Sequence, residues 1–228
     1  MSDAIVSVRD LRKTYLDGDS RREILTHATF DLAPGSFNAV IGPSGCGKST
    51  LLNLVCGIDT PDGGEVRIGG QTMSGLDETG RTLLRRRQIG LVFQFFNLLP
   101  TLTVWENIFL PIQLNGLDAR EGTKRLERLL DVVGLRERRN EFPEHLSGGE
   151  QQRAAILRAL AHEPVLILAD EPTGNLDRDA GTRVIAEFTR LARAQNTTLL
   201  IATHSDELVR AADTVFRIEN HTVVRNGD

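Results

Sequence analysis

The residues best placed to do chemistry form the run Gly42-Pro43-Ser44-Gly45-Cys46-Gly47-Lys48-Ser49-Thr50, which follows an apolar stretch at residues 37–41 and opens a helical pattern at 48–55. Glycines let successive backbone N–H groups turn inward around phosphate oxygens, and a helix N-terminus adds partial positive charge. Lys48 is spaced to reach the β- and γ-phosphates of a nucleotide and Ser49 to hold Mg²⁺, as in a P-loop. Cys46 reads simply as a small residue within it. A second cluster is acidic: the apolar run 165–169 ends in Asp170 and Glu171. Carboxylates at the C-terminal end of a buried strand lie where α/β sheets bind ligands. Asp170 is expected to hold Mg²⁺, and Glu171 to orient or deprotonate an attacking water. A third run, Leu146-Ser147-Gly148-Gly149-Glu150-Gln151-Gln152-Arg153, precedes a helical stretch at 154–161. It is another glycine-rich helix start and so a second potential phosphate-binding end. One nucleotide does not need two such ends in one chain.

These groups need elements to hold them. Residues 5–11, 28–32 and 65–68 alternate apolar and polar, the pattern of half-buried strands in an antiparallel rim. Runs 37–41, 165–169 and 198–202, with 89–93 as a fourth, are short and continuously apolar, as strands buried on both faces of a parallel sheet are. Helical patterns follow at 48–55, 179–194 and 205–212, so strand and helix alternate as in a parallel α/β core. Further helical spacing at 123–133 and 149–161 predicts a helical insert over about residues 95–157, between core segments 1–94 and 158–228 of a single domain.

Composition narrows the class. Apolar content of 40% and charged content of 25% are those of an ordinary globular chain. A net charge of −4 argues against a general nucleic-acid binder, whose affinity comes from a basic surface. Two cysteines, Cys46 and Cys56, offer no disulfide framework, which fits the cytosol, and the first ten residues carry no apolar signal-peptide core. Between residues 88 and 117 the only charge is Glu106. Gln94, Asn97, Pro100, Thr103, Asn107 and Pro111 interrupt that stretch too often for a lipid-facing helix. Arg85-Arg86-Arg87 reads as a solvated face.

The run from Leu146 to Arg153 closely resembles the signature sequence of ATP-binding cassette ATPases and stands upstream of the acidic strand as it does in that family. The resemblance covers nearly the whole chain. It implies a P-loop NTPase (RecA-like) α/β fold: a parallel-sheet core with an N-terminal antiparallel β rim and an inserted α-helical subdomain. It also implies a homodimer of cassettes paired head to tail, in which Ser147, Gly148, Gly149 and Glu150 cover the ATP held by the opposite P-loop. Gln94 resembles the glutamine that contacts Mg²⁺ and water, Asp177 the aspartate that crosses the dimer interface, His204 the histidine on the γ-phosphate, and Tyr15 the aromatic that stacks on adenine. Glu150 stands where many relatives carry Gln. The runs 92–100 and 168–177 look most like the branch of macrolide-exporter, lipoprotein-release and cell-division ATPases. That branch implies a site at the cytoplasmic face of the inner membrane and an integral permease, four-span with a large extracytoplasmic domain, docking near Phe95, Phe96, Leu98, Leu99 and Trp105. DNA-acting relatives insert coiled coils or zinc modules between P-loop and signature. Residues 50–145 show no sustained heptads and no Cys/His cluster. An importer cassette and a non-transport role in force transmission share the same motor residues.

Overall fold

The computed structural model describes residues 4–18 and 20–226. In chain order the first elements are β1 (Val6–Asp17), β2 (Ser20–Leu32), β3 (Phe37–Ile41), α1 (Lys48–Val55), β4 (Gly63–Ile68), β5 (Gln71–Thr72), α2 (Glu78–Gln88) and β6 (Ile89–Val92). There follow α3 (Val104–Leu114), α4 (Ala119–Val132), α5 (Gly148–Leu160), β7 (Leu166–Asp170), α6 (Arg178–Ala194), β8 (Thr198–Ala202), α7 (Asp206–Ala211), β9 (Thr214–Glu219) and β10 (Thr222–Arg225).

The strands form two sheets. One is antiparallel in the order β2-β1-β4-β5, the rim expected from the alternating pattern. The other runs β10-β9-β3-β8-β7-β6 and is parallel from β9 to β6, with only the β9–β10 hairpin antiparallel. Parallel neighbours need crossover connections, and helices such as α6 and α7 supply them. Because side chains alternate across a strand, β7 feeds two cores. Leu166 and Leu168 join Val40, Leu200, helix α1 and the antiparallel sheet; Ile167 and Ala169 join Ile201, α3, α5 and α6. A strand buried on both faces has no polar positions to give up, which is why the run reads as unbroken apolar sequence.

Helices α3 and α4 both pack on α5. The loop before α3 is stapled by Asn107, fully buried, whose Oδ1 accepts from the Leu99 N–H at 2.8 Å while Nδ2 donates to the carbonyls of Leu99, Leu102 and Thr103, each at 3.0 Å. With only 11 residues, α3 spans about 16 Å. No helix among the described residues is long and apolar enough to cross a membrane. Three features depart from the sequence reading. Helix α2 has a single buried side chain, Leu84, and so carries almost no periodic signal. Its Arg85 is not merely solvated: Nη1 donates to the carbonyls of Cys56 and Gly57 at 3.2 and 3.1 Å, tying α2 to the end of α1. Strands β9 and β10 complete the sheet from a segment with no distinctive apolar run.

Candidate active site

Four parallel strands end at one edge of the sheet, and each delivers a predicted residue there. Gly42 follows β3, Gln94 stands two residues after β6, Glu171 follows Asp170 at the end of β7, and His204 stands two residues after β8. A cleft of about 610 Å³ at that edge is lined by Ser44, Gly45, Gly47, Lys48, Ser49, Thr50, Gln94, Asp170, Glu171 and His204, with Tyr15 at its rim. Gly42, Pro43 and Cys46 line a neighbouring hollow that shares His204. A larger cleft, about 860 Å³ between α6 and α7, contains no phosphate-binding loop; of the predicted residues it is lined by Asp177.

The loop before α1 is shaped by glycine. Gly47 occupies the cap position with φ of 109°, a region that side chains rarely enter, and a Cβ there would lie 2.7 Å from Ile24 Cγ2. No side chain caps α1, whereas α2, α3, α4, α5, α6 and α7 each have one. The first N–H groups of α1 therefore have no partner within the helix and are directed at the cleft. Lys48, 8% exposed, has its Nζ 2.8 Å from the Gly42 carbonyl, 3.3 Å from that of Pro43 and 3.1 Å from His204 Nε2. A buried cation held by two carbonyls at the mouth of an uncapped helix is an arrangement that suits an anion.

Glu171 has φ of 45°, uncommon for a residue with a side chain and of a kind that gathers at active sites. Its N–H donates to the Ala202 carbonyl at 2.9 Å and its carbonyl accepts from the Gly174 N–H at 3.0 Å, so the turn is fixed from both sides. Its carboxylate accepts from the His204 N–H at 3.3 Å and lies 3.5 Å from His204 Nε2. Gln94 packs beside Gly174, and its carbonyl accepts from Asn175 Nδ2 at 2.6 Å. Ser49, Asp170 and Gln94 offer hydroxyl, carboxylate and amide oxygens, the hard donors that suit Mg²⁺.

Two cleft residues carry no motif: Arg22, whose Nη2 donates to the Gly45 carbonyl at 3.3 Å, and Ile24, both from β2. Residues 20–25 do not alternate, so the sequence gives no signal for either. The remaining predicted residues lie apart from the cleft. Ser147 caps α5 in a reciprocal box: the Glu150 carboxylate accepts from the Ser147 N–H at 2.8 Å and from its hydroxyl at 2.7 Å. Those hydrogen bonds hold the Glu150 carboxyl below the usual carboxylate range, with Arg138 adding attraction. Gly148 borders Leu176 and Phe96 rather than the P-loop. Asp177 caps α6 by accepting from the Ala180 N–H at 2.8 Å.

The apolar residues after Gln94 do not form one exposed patch. Phe95 is 73% and Leu99 42% exposed, but Leu98 and Trp105 pack against the core. Trp105 stacks on Phe109 with centroids 5.6 Å apart and has Arg139 4.9 Å above its ring. The indole is half-buried, with aromatic and cationic partners already in place.

Comparison with known proteins gives the same picture as the geometry. Residues 25–174 match the family model described as ABC transporter. An ABC transporter ATP-binding protein of Mycobacterium tuberculosis is 50% identical over 220 residues, 96% of this chain and 89% of its own length. The lipoprotein-releasing system ATP-binding protein LolD of Maricaulis maris is 45% identical over 215 residues, 94% of each chain. Among solved structures, the ATP-binding cassette MJ0796, in a dimeric post-hydrolysis state bound to ADP and Pi, superposes with a TM-score of 0.86 at 36% identity, covering 96% of this chain and 97% of that one.

Proposed function

This chain belongs to the family of ABC transporter ATP-binding proteins, which hydrolyse ATP, dimerise and partner with membrane permeases, and from that premise we propose that it drives a permease of the efflux or lipoprotein-release branch through ATP-dependent head-to-tail pairing of two copies. The observation that carries this reading is the convergence of Lys48, Gln94, Asp170, Glu171 and His204 on one cleft, while the second glycine-rich helix start lies outside it. The phosphates of ATP sit on the N–H groups of α1 and on Lys48. Glu171 orients the attacking water and takes its proton, and His204, between Glu171 and Lys48, steers the γ-phosphate. Ser49, Asp170 and Gln94 would hold Mg²⁺, which would supply positive charge to offset the negative charge of the phosphates. Ser147 to Glu150 and Asp177 complete the site on the partner copy.

The permease docks beside Phe95, in the groove of about 370 Å³ lined by Arg85, Arg86, Phe93, Leu110, Leu114 and Arg158. Support for this comes from Arg158, whose guanidinium donates to the carbonyls of Phe96, at 3.0 Å, and Asn97. Occupancy of the groove thereby reaches the segment that carries Gln94. The protein works at the cytoplasmic face of the inner membrane, bound through that partner. The relation to the LolD sequences favours lipoprotein release or efflux over import.

Glu171→Gln tests the motor. Turnover is expected to fall by ~10²- to 10⁴-fold, the scale of a lost general base, with ATP binding retained; near-normal turnover overturns the assignment. The same variant purified from its native membranes with ATP should carry a four-span protein with a large extracytoplasmic domain. A many-helix permease in its place would move the chain to the importer class.

A further inference from the structure

Tyr15 is the only tyrosine of the chain, and its ring lies at the rim of the nucleotide cleft, 39% exposed. A lone exposed side chain would sample several rotamers, and a base that stacks on it would first have to stop that motion. Here the ring is already held. Its hydroxyl donates to Asp59 Oδ2 at 2.6 Å. Asp59 Oδ1 in turn accepts from Lys13 Nζ at 2.7 Å, and that ammonium also donates to the Thr60 carbonyl at 2.8 Å. Lys13 is only 8% exposed, and its Nζ lies 5.0 Å from the Tyr15 ring centroid, within cation–π range. The ammonium takes one side of the ring and leaves the other for a base.

The network also fixes where the ring stands. Asp59 belongs to the segment just beyond α1, and Asp62 on the same segment accepts from the Thr14 N–H at 2.6 Å while its own N–H donates to the Arg12 carbonyl at 2.9 Å. Strand β1 is thus gripped at residues 12–15 by the exit of the helix whose entrance holds the phosphates. Ring and phosphate site are tied to the two ends of one rigid element. Charges agree with this arrangement. Burial, reinforced by the hydrogen bond to Asp59, raises the Tyr15 hydroxyl, keeping it a donor. Burial works against ionisation of Asp59, but hydrogen bonds from Lys13 and Tyr15 outweigh it and hold the carboxyl low.

We propose that Asp59, with Lys13, is the positioning residue of the base site: it locks the Tyr15 ring as a pre-set platform at a fixed distance from the P-loop. This rests on the reading that Tyr15 stacks on adenine. Pre-organisation saves the ordering of one side chain on binding, which corresponds to about three- to tenfold in affinity. Steady-state ATPase kinetics of the full chain test it, with inorganic tripolyphosphate, which lacks a base, as a competing inhibitor. Tyr15→Phe deletes only the hydroxyl, and Asp59→Asn removes the charge that pairs with Lys13 and replaces one of the two accepting oxygens with an NH2 group that cannot accept. Each is expected to raise KM for ATP about three- to tenfold with kcat within about twofold, and to leave tripolyphosphate inhibition unchanged. Tyr15→Ala separates the two layers. If it raises KM while Tyr15→Phe and Asp59→Asn do not, stacking stands and the anchor is overturned. If Tyr15→Ala leaves KM unchanged, the adenine reading beneath it falls. Weakened tripolyphosphate inhibition in Tyr15→Phe would mean that the hydroxyl supports the P-loop as a whole, and would also overturn the proposal.

Discussion

Helix α1 begins on Gly47 with no side-chain cap and no acidic residue in its first turn, whereas α5 begins on Ser147 and has its first turn closed by the Glu150 carboxylate. Both starts are glycine-rich, and by sequence alone both are candidates for phosphate. The difference lies in where their amide donors are spent. At α1 they are unspent, and Lys48 stands beside them, so anion binding is a property of the single chain. At α5 the Glu150 carboxylate takes the Ser147 N–H and hydroxyl and the Glu150 N–H goes to Ser147 Oγ, so an internal negative charge already stands at the helix start, as in an ordinary helix of this fold such as α3, where Thr103 and Glu106 form the same box. What α5 leaves outward is its glycine edge next to Leu176 and Phe96, the surface that the proposed pairing brings to the ATP of another copy.

The largest expected effect tests the α1 side. Lys48→Met removes the buried cation beside the α1 start and leaves the loop its glycines. Phosphate release should fall by ~10²- to 10³-fold, comparable to losing a pre-organised donor on a developing oxyanion. A loss under tenfold would mean that α1 is not the principal phosphate end and would erase the distinction. On the α5 side, Ser147→Ala opens the box and should lower stability by about 1 kcal/mol, a shift in Tm of about 2–4 °C for a chain of this size. Equilibrium binding of ATP to dilute, monomeric protein should not change. If monomer binding weakens along with Tm, the two helix ends are not independent.

How far these contrasts were legible in sequence depends on what each residue touches. Residues 37–41, 48–55 and 198–202 announce themselves because a strand buried on both faces, or a helix started by the P-loop, leaves no freedom in residue type. Asp170 and Glu171 were readable at the end of such a strand, whereas Gln94 and His204, two residues beyond β6 and β8, were matched only through the resemblance to the family. Helix α2 was not, since Leu84 is its single buried side chain and its three arginines obey no apolar period. Aromatic type alone did not separate Phe95, which is exposed, from Trp105, which is not. That outcome is set by Phe109 and Arg139, the latter 34 positions away in the chain. The link from Tyr15 to Asp59 was hidden for the same reason: neither residue belongs to a contiguous motif, and only the path of the chain after α1 brings them together. That Ser147 and Glu150 satisfy each other follows from their spacing of three at a helix start, but whether such a box or an open anion site forms depends on backbone geometry that α1 and α5 do not share.

The smallest effect is the most informative about α5. Glu150→Gln preserves the box, because an amide oxygen can still accept from the Ser147 N–H, and removes only the charge. The Glu150 carboxyl is depressed chiefly by the Ser147 hydroxyl and amide, so the sign is set: the stability it contributes is fully present above its unfolded pKa, about 4.3, and is lost as pH falls through the lower folded value. Wild type should exceed the variant in urea unfolding at neutral pH by a few tenths of a kcal/mol, the scale of a partly exposed charge at a helix start. That margin should vanish well below pH 4, where both side chains are neutral. The nucleotide response should run the other way. With the internal anion gone, the α5 edge repels the phosphates of a facing ATP less, and half-maximal ATP for pairing of two copies, read by light scattering in the Glu171→Gln background, should drop by about two- to fivefold. A stability margin without a change in pairing would leave Glu150 as a helix cap and nothing more. A change in pairing that persists below pH 4 would place its origin outside the carboxylate.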